Sequence, residues 1–441
     1  GTAKVGSTLT AVPGIWGPAP VALAYQWKAN GSAIIGATGA AYTAVGGDTG
    51  KTITVTVTGT KAGYSTVSKT SAPTAAIANG SLSTTPVPTI TGTAKVGSTL
   101  TAVPGIWGPA PVALAYQWKA NGSAIIGATG AAYTAVGGDT GKTITVTVTG
   151  TKAGYSTVSK TSAPTAAIAN GPLSTTPVPT ITGVPAVGST LTAASGVWGP
   201  APVTLRYQWY RSGVAILGAT SPTYVPVAED LGAILTVKVT GSKSGYTTFS
   251  RTSAATAAVV KGSLIRATPT VTGTAKVGST LTANSGVWGP APVTLRYQWY
   301  RSGVAITGAT SPTYVPVPED LGAILTVKVT GSKSGYTTFS RTSAATAAVV
   351  KGSLIRATPT VTGTAKVGST LTANSGVWGP APVTLRYQWY RAGVAITGAN
   401  AATYKPTATD VAKTLTVKVT GSKPGYTTFF RTSVPTTAVA K

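Results

Sequence analysis

The 441-residue chain contains no cysteine, no histidine and no methionine, and only seven acidic residues stand against 34 lysines and arginines. The first two absences remove most of the vocabulary of catalysis, because His and Cys supply the common general bases, soft metal ligands and activated nucleophiles. No clustered carboxylates replace them. Without cysteine there is no disulfide framework, so each folding unit must stand on packing alone. No apolar run approaches the roughly 18 to 20 residues of a membrane-spanning helix, and Gly1 is not followed by a secretory leader pattern. The reading is a non-enzymatic chain with no cofactor, no metal and no membrane span, either mature or a piece of a longer protein.

Repetition organises the chain. The segment GTAKVGSTLTA begins at Gly1, Gly92, Gly273 and Gly363, and the variant GVPAVGSTLTA begins at Gly183, giving spacings of 91, 91, 90 and 90 residues. A period this long exceeds a propeller blade or solenoid coil and suits a compact sandwich domain. The boundaries expected from the pattern are 1–82, 83–173, 174–264, 265–354 and 355–441. Units 1 and 2 differ only at Ser81 against Pro172, and such near-identity invites cross-pairing between neighbours during folding.

Within a unit the apolar period is two. In TITVTVTGT (52–60) Ile53, Val55 and Val57 alternate with threonines, which places them on one face of a strand. Turns rich in Gly, Pro and Asn separate such runs, as in PGIWGPAP, NGS, GGDTG and KAGY. The phrase YQW occurs once per unit, and on a strand Leu23, Tyr25 and Trp27 share one face while Ala24, Gln26 and Lys28 share the other. Trp27 and its counterparts Trp118, Trp209, Trp299 and Trp389 are therefore expected in five separate cores. A buried indole removes some 200 Å² from water, a large share of what a small domain without disulfides requires.

The order VGSTLTA, GxWGPAP, YQW, GATxxxY, DxGxxxTVxVTGxxxGY resembles the tandem immunoglobulin-like repeats of secreted and surface proteins of Gram-positive bacteria, especially actinobacteria. The resemblance covers essentially the whole chain. It implies an all-β fold of five tandem immunoglobulin-like β-sandwich domains in an elongated rod, an extracellular or cell-surface location, and a core role in the third strand for the YQW tryptophan. Relatives often carry cysteines at positions that match Ala11 and Val55, Ala102 and Val146, Ala193 and Val237, Ala283 and Val327, and Ala373 and Val417; this chain departs from them with an Ala/Val pair in every unit.

Three residue sets bear on function. Asp48, Asp139, Asp230, Asp320 and Asp410 recur in the turn before the TVxV strand, where an Asp is expected to accept backbone N–H groups; Glu229 beside Asp230 is too little oxygen for a Ca²⁺ site. Trp16, Trp107, Trp198, Trp288 and Trp378 lie in a Gly/Pro loop and are expected to fold back on the end of the sandwich, with stacking on a sugar ring as the alternative. Finally, the net charge per unit is +4, +4, +5, +6 and +8. Units 3 to 5 place Arg206 and Tyr210, Arg296 and Tyr300, and Arg386 and Tyr390 on the outward face of the tryptophan strand, with Lys238, Lys328 and Lys418 expected beside them. Such a face either keeps the chain soluble and deters unwanted pairing or meets an anionic partner such as a cell-wall polymer or polysaccharide. No motif for reading nucleic acid is present.

The connections between units are short and proline-bearing, as in NGSLSTTPVPTIT (79–91), which favours a rod. At about 33 Å for a ten-residue strand, five units reach on the order of 150 to 200 Å. Units 2 to 5 are preceded by TPVPTIT or ATPTVT, a first strand that unit 1 lacks; the array is then cut from a longer one, or a neighbouring molecule supplies the strand. The functional expectation is a structural rod, as subunit of a surface filament, stalk or adhesin shaft, with self-association or a neighbouring surface protein as partner. The alternatives are a basic binding array, or the repeat region of a larger secreted enzyme or phage fibre.

Overall fold

The computed structural model describes residues 1–441. It is all-β, its only helical features being single 3-10 turns such as Gly46–Asp48 and Ala228–Asp230. Unit 2 shows the pattern. Thr89–Thr91, Thr99–Val103 and Ala132–Thr134 form a three-stranded antiparallel sheet with Thr99–Val103 in the middle. Ser123–Ala124, Ala113–Ala120, Ile144–Thr151 and Val158–Thr161 form, in that spatial order, a four-stranded antiparallel sheet. The two sheets enclose the apolar residues as the period-two pattern requires: Ile144, Val146 and Val148 are fully buried and the threonines between them half-buried. The cores are not five separate ones, since that of unit 3 continues through Trp288 and Tyr336 and those of units 4 and 5 merge into one cluster across their joint.

Register places the tryptophan where the sequence predicts it. Trp118 lies opposite Val146 and Trp209 opposite Val237, and the five YQW tryptophans are buried. Each Nε1 donates to a carbonyl across the core, Trp27 to Gly39 and Trp118 to Gly130, both at 2.9 Å, so the one polar atom of the indole is satisfied. Ala102 and Val146 and the four equivalent pairs are all buried, and packing stands where a disulfide would otherwise join the sheets. The last segment of a unit closes its edge by parallel pairing: Val96 N donates to Ala169 O and Ala169 N to Ala94 O, both at 3.0 Å.

Within these residues unit 1 shows one strand fewer, since the equivalent of Thr89–Thr91 would precede Gly1. Its smaller sheet holds only Thr8–Thr10 and Ala41–Thr43, so the position occupied by Thr89–Thr91 in unit 2 is open. Because units 1 and 2 are almost identical in sequence, their difference in burial isolates what that strand and the segment leading into it cover. Leu9 and Val57 are 4% and 6% exposed where Leu100 and Val148 are at 0%. A cleft of about 370 Å³ opens there, reaching Leu9, Ala11, Trp16, Trp27 and Val57.

The joints between units are built identically four times. The KxGY loop of one unit meets the end of the unit before it. Gly80 N donates to Gly154 O at 2.8 Å and Ser156 N to Gly80 O at 2.9 Å; Gly171, Gly262 and Gly352 receive the next loop in the same way. The tyrosine of that loop covers the glycine: a Cβ on Gly80 would sit 2.7 Å from Cδ1 of Tyr155. Tyr336 and Tyr426 are buried in these joints, whereas Tyr64, in unit 1, is exposed. The conserved geometry, rather than proline stiffness alone, sets each unit against the next.

Candidate functional site

The structure resolves the three residue sets differently. The loop tryptophans fold back. Trp107, Trp198, Trp288 and Trp378 are buried, each Nε1 donates to a carbonyl three residues earlier, Trp107 to Pro104 at 3.0 Å, and the ring lies on the glycine of the TVxVTG strand. A Cβ on Gly241 would come within 2.4 Å of Trp198 Cε3. In units 4 and 5 the loop also forms short strands with the incoming connection, Arg266 opposite Trp288 and Arg356 opposite Trp378. These indoles pack and are not presented to a sugar ring. Trp16 alone is half-buried; its counterparts are covered by a connection whose equivalent would precede Gly1.

The recurrent aspartates are also structural. Asp48 Oδ2 accepts from Val45 N at 2.9 Å and from the Tyr42 hydroxyl at 2.6 Å, and that tyrosine ring lies 5.9 Å from the Trp27 ring. Burial first, then the hydrogen bond to the carboxylate, pushes the Tyr42 and Tyr133 hydroxyls well above the ordinary phenol range. In units 3 to 5 a guanidinium joins this cluster: Arg211 Nε donates to Asp230 Oδ1 and Arg301 Nε to Asp320 Oδ1, both at 2.6 Å, and Arg391 pairs with Asp410. Units 1 and 2 have Ala29 and Ala120 at these positions. Burial alone would raise the Asp410 carboxyl; hydrogen bonds from Arg391, the Thr407 amide, Tyr404 and the Thr407 hydroxyl outweigh it and hold the group below its usual value. Asp230 is buried with both carboxylate oxygens hydrogen-bonded, so it is turned inward rather than toward Glu229, and no cluster of acidic side chains suited to a metal ion is present.

The basic face is brought together by register. Gln208 lies opposite Lys238, Arg206 opposite Thr240 and Tyr210 opposite Thr236; the same pairs recur through Lys328 and Lys418. Arg206 is exposed, and Tyr210 and Lys238 are half-exposed. Arg296 and Tyr300, and Arg386 and Tyr390, repeat this in units 4 and 5. Gln208 is committed elsewhere, its Nε2 donating to Ile216 O at 2.7 Å. The flanking strand adds Ser250 and Thr252, and in unit 5 the serine position is Phe430, whose exposed ring lies 4.0 Å from Lys418 Nζ. Units 1 and 2 carry Ala24 and Thr56, and Ala115 and Thr147, where units 3 to 5 have the Arg and the Lys.

Sequence reasoning missed three features: the joint tyrosines, the Arg211–Asp230 pair, and the bond between Lys243 Nζ and the Pro200 and Ala201 carbonyls at 2.9 and 2.7 Å, a clamp on the GPAP loop present in every unit. The signal that could have found the second was the simultaneous appearance of Arg211, Arg301 and Arg391 in units 3 to 5 alone.

The chain is a tandem array of immunoglobulin-like repeats. No protein-family model and no curated protein matches it. Among solved structures it is similar to a Ca²⁺-stabilized adhesin with which an Antarctic bacterium binds ice, at 13% identity over 81% of this chain and 100% of that one, with a TM-score of 0.26. It is similar also to an ectodomain fragment of ICAM-5, at 16% identity over 78% and 96% with a TM-score of 0.22. A third likeness is to the three N-terminal domains of the bacteriophage RB49 Highly Immunogenic Outer Capsid protein, at 18% identity over 60% and 99% with a TM-score of 0.20. The fold assignment rests on the sheets described above.

Proposed function

We propose that this chain is a non-enzymatic extracellular structural protein whose product is length: a jointed rod that forms part of a surface filament, stalk or adhesin shaft. The observation that carries the reading is the fourfold repetition of one joint, in which two main-chain hydrogen bonds and a tyrosine lid hold each unit to the next. A chain selected only to tether its ends has no use for an ordered joint, since a flexible linker gives reach without one. The five units are then domains in series, near the boundaries 82, 173, 264 and 354. Antiparallel ladders and the buried tyrosine–aspartate clusters resist pulling within a unit, and the joints keep the units in line. Electron microscopy of the purified chain at physiological salt tests the reading. Straight particles about 150 to 200 Å long, single or joined in a regular fibre, support it; beads on a flexible string would refute it.

A further inference from the structure

Five of the seven acids are withdrawn from the surface: Asp48, Asp139, Asp230, Asp320 and Asp410 are no more than 5% exposed. Only Glu229 and Glu319 remain to offset the cations, and both lie in 3-10 turns rather than on a sheet face. The field outside the molecule is therefore set almost entirely by lysine and arginine. Many of those cations are committed. Arg211, Arg301 and Arg391 belong to the buried aspartates, Lys243 and its equivalents clamp the GPAP carbonyls, and Arg266 and Arg356 stack over Phe339 and Phe429. Arg206 and Lys238, with their counterparts in units 4 and 5, have no acidic partner and share one sheet face with Tyr210.

We infer that this face, repeated once per unit along units 3, 4 and 5, binds an acidic polysaccharide. The face is lined by hydroxyls, with Thr236, Thr240, Ser250 and Thr252 around the two cations. It pairs donors for carboxylate or sulfate with a half-exposed aromatic ring on which a pyranose stacks. Phe430 enlarges that apolar surface in unit 5. A nucleic acid fits less well: one tyrosine per unit cannot stack successive bases, and no element projects to enter a groove. Three weak sites on one chain act together when a polymer spans them, and the fixed joints supply the spacing, so the avidity rests on the rod reading above while the chemistry of each face does not. Units 1 and 2 have Ala and Thr in place of the Arg and Lys and a single lysine, Lys28 or Lys119, in place of the tyrosine; without the cation pair and the ring they are left as reach, and the grip is confined to the C-terminal three units.

The test uses the full chain and three variants, with binding to polygalacturonate and dextran sulfate measured at low and high salt and uncharged dextran as control. The first variant gives the two cation positions of the face the residues of unit 1: Arg206→Ala, Arg296→Ala, Arg386→Ala, Lys238→Thr, Lys328→Thr and Lys418→Thr. The second removes six exposed charges elsewhere: Lys51, Lys142, Lys261, Lys351, Lys413 and Lys441, each to Gln. The third keeps every charge and carries Tyr210→Ala, Tyr300→Ala and Tyr390→Ala. The expected result is salt-sensitive binding of both acidic glycans and none of dextran. The face variant should lose about tenfold or more in affinity and the second variant less than about threefold, because counterion release scales with the charges in contact rather than with net charge. The tyrosine variant should weaken polygalacturonate binding severalfold. Equal losses in the first two variants, no binding by the wild-type chain at low salt, or preference for a single-stranded oligonucleotide of matched charge would each overturn the inference. X-ray scattering on the same samples separates this from the rod reading: an extended profile with no binding defeats only the glycan face, and binding by a flexible chain defeats only the rod.

Discussion

Tyr336 of unit 4 occupies the space where a side chain on Gly262, at the end of unit 3, would lie: a Cβ there would meet Cε1 at 2.6 Å and the Val187 carbonyl oxygen at 2.3 Å. Gly262 also exchanges main-chain hydrogen bonds with the same loop, its N donating to Gly335 O and its O accepting from Thr337 N, both at 3.0 Å. The joint is thus a contact that only glycine permits. Gly262→Val should open the joint between units 3 and 4 by displacing Tyr336, which packs at the end of the same apolar cluster as Val187 and Trp209, while the strands of both units persist. Small-angle scattering should report a bend or a broadened length distribution while the far-ultraviolet circular dichroism stays constant. A variant with the parental scattering profile would show that the joint contributes no stiffness.

Arg211 and Asp230 give units 3 to 5 a bond that units 1 and 2 lack. Asp230 is at 0% exposure, and a buried carboxylate stripped of its guanidinium is costly. Arg211→Ala should therefore destabilise unit 3 by roughly 1 to 3 kcal/mol, the range for losing a charged partner of a buried group. Asp230→Ala should cost at least as much, because the Tyr224 hydroxyl and the Val227 amide lose their acceptor as well. Hydrogen exchange resolved by peptide checks this: the loss should appear in unit 3 and spare unit 4. Uniform protection across the two units after Arg211→Ala would remove the ion pair from the account of stability.

Most of the interior was legible because it obeys a period. Ile53, Val55 and Val57 are inward by alternation, and Trp27 follows from its neighbours Leu23 and Tyr25, so local sequence alone places the core. Register then puts Lys238 beside the tryptophan strand. The contacts that escaped are those whose partners have no pattern to share. Tyr155 meets a glycine 75 residues away in the preceding unit, and glycine advertises nothing about what covers it. Gly241 sits inside a strand, one residue from its end, where its usual reading is a weak point, yet it is the floor of the Trp198 site. Arg211 and Asp230 are 19 residues apart on a strand and a turn, a separation that matches neither the strand period nor any local turn. The basic face was legible as charge, but that the five aspartates are removed from solvent, leaving it almost unopposed, depends on burial that no composition count contains.

Gly241→Ala tests the floor. The new methyl would stand 2.4 Å from Trp198 Cε3 and 3.1 Å from Val203 Cγ1, and the indole, tied to Ser195 O by its Nε1, has little room to retreat. Overpacking of this kind costs roughly 1 to 3 kcal/mol. The expected signature is a lower melting temperature for unit 3 with a red shift in part of the tryptophan emission, as the ring moves toward water. Unchanged emission and stability would mean that the loop yields freely and that the buried ring does not anchor it.

The tyrosine–aspartate clusters predict a stability plateau bounded on both sides. Tyr224 and Tyr314 are pushed up to about 12, by burial first and then by their hydrogen bonds to Asp230 and Asp320. A folded-state value above the unfolded value of about 10 means that the fold favours the neutral phenol. The stability this supplies is complete below pH 10 and is lost as pH rises through about 12. Asp410 has the opposite sign: its value is lowered in the folded chain, so its contribution is present above about 3.9 and is lost as pH falls further. Denaturant midpoints across the pH range should fall at both ends, and tyrosinate absorbance should show a late-ionising class that titrates with alkaline unfolding. A flat alkaline limb, with all tyrosines ionising together near 10, would contradict the clusters.

Unit 1 offers a test in which the control is already part of the molecule. Its sequence through Asn79 is that of unit 2, and the difference in burial between Val57 and Val148 arises from the strand Thr89–Thr91 and the connection before it. In that strand Ile90 lies opposite Ala102 while Thr89 and Thr91 face solvent, so the strand buries one isoleucine and fills one edge. Adding the segment Ser-Thr-Thr-Pro-Val-Pro-Thr-Ile-Thr ahead of Gly1 should let it pair with Thr10, Ala11 and Val12 in the register seen in unit 2, cover Trp16 and close the cleft. Burying an isoleucine and the exposed flank of an indole is worth roughly 2 to 4 kcal/mol, against the cost of ordering the added residues. Unit 1 should then exchange amide hydrogens as slowly as unit 2, with its Trp16 emission shifted to the blue. Continued fast exchange of Leu9 and Val57 in the extended chain would mean that the edge strand adds little to the sandwich, and that the sheets hold through the four-stranded layer alone.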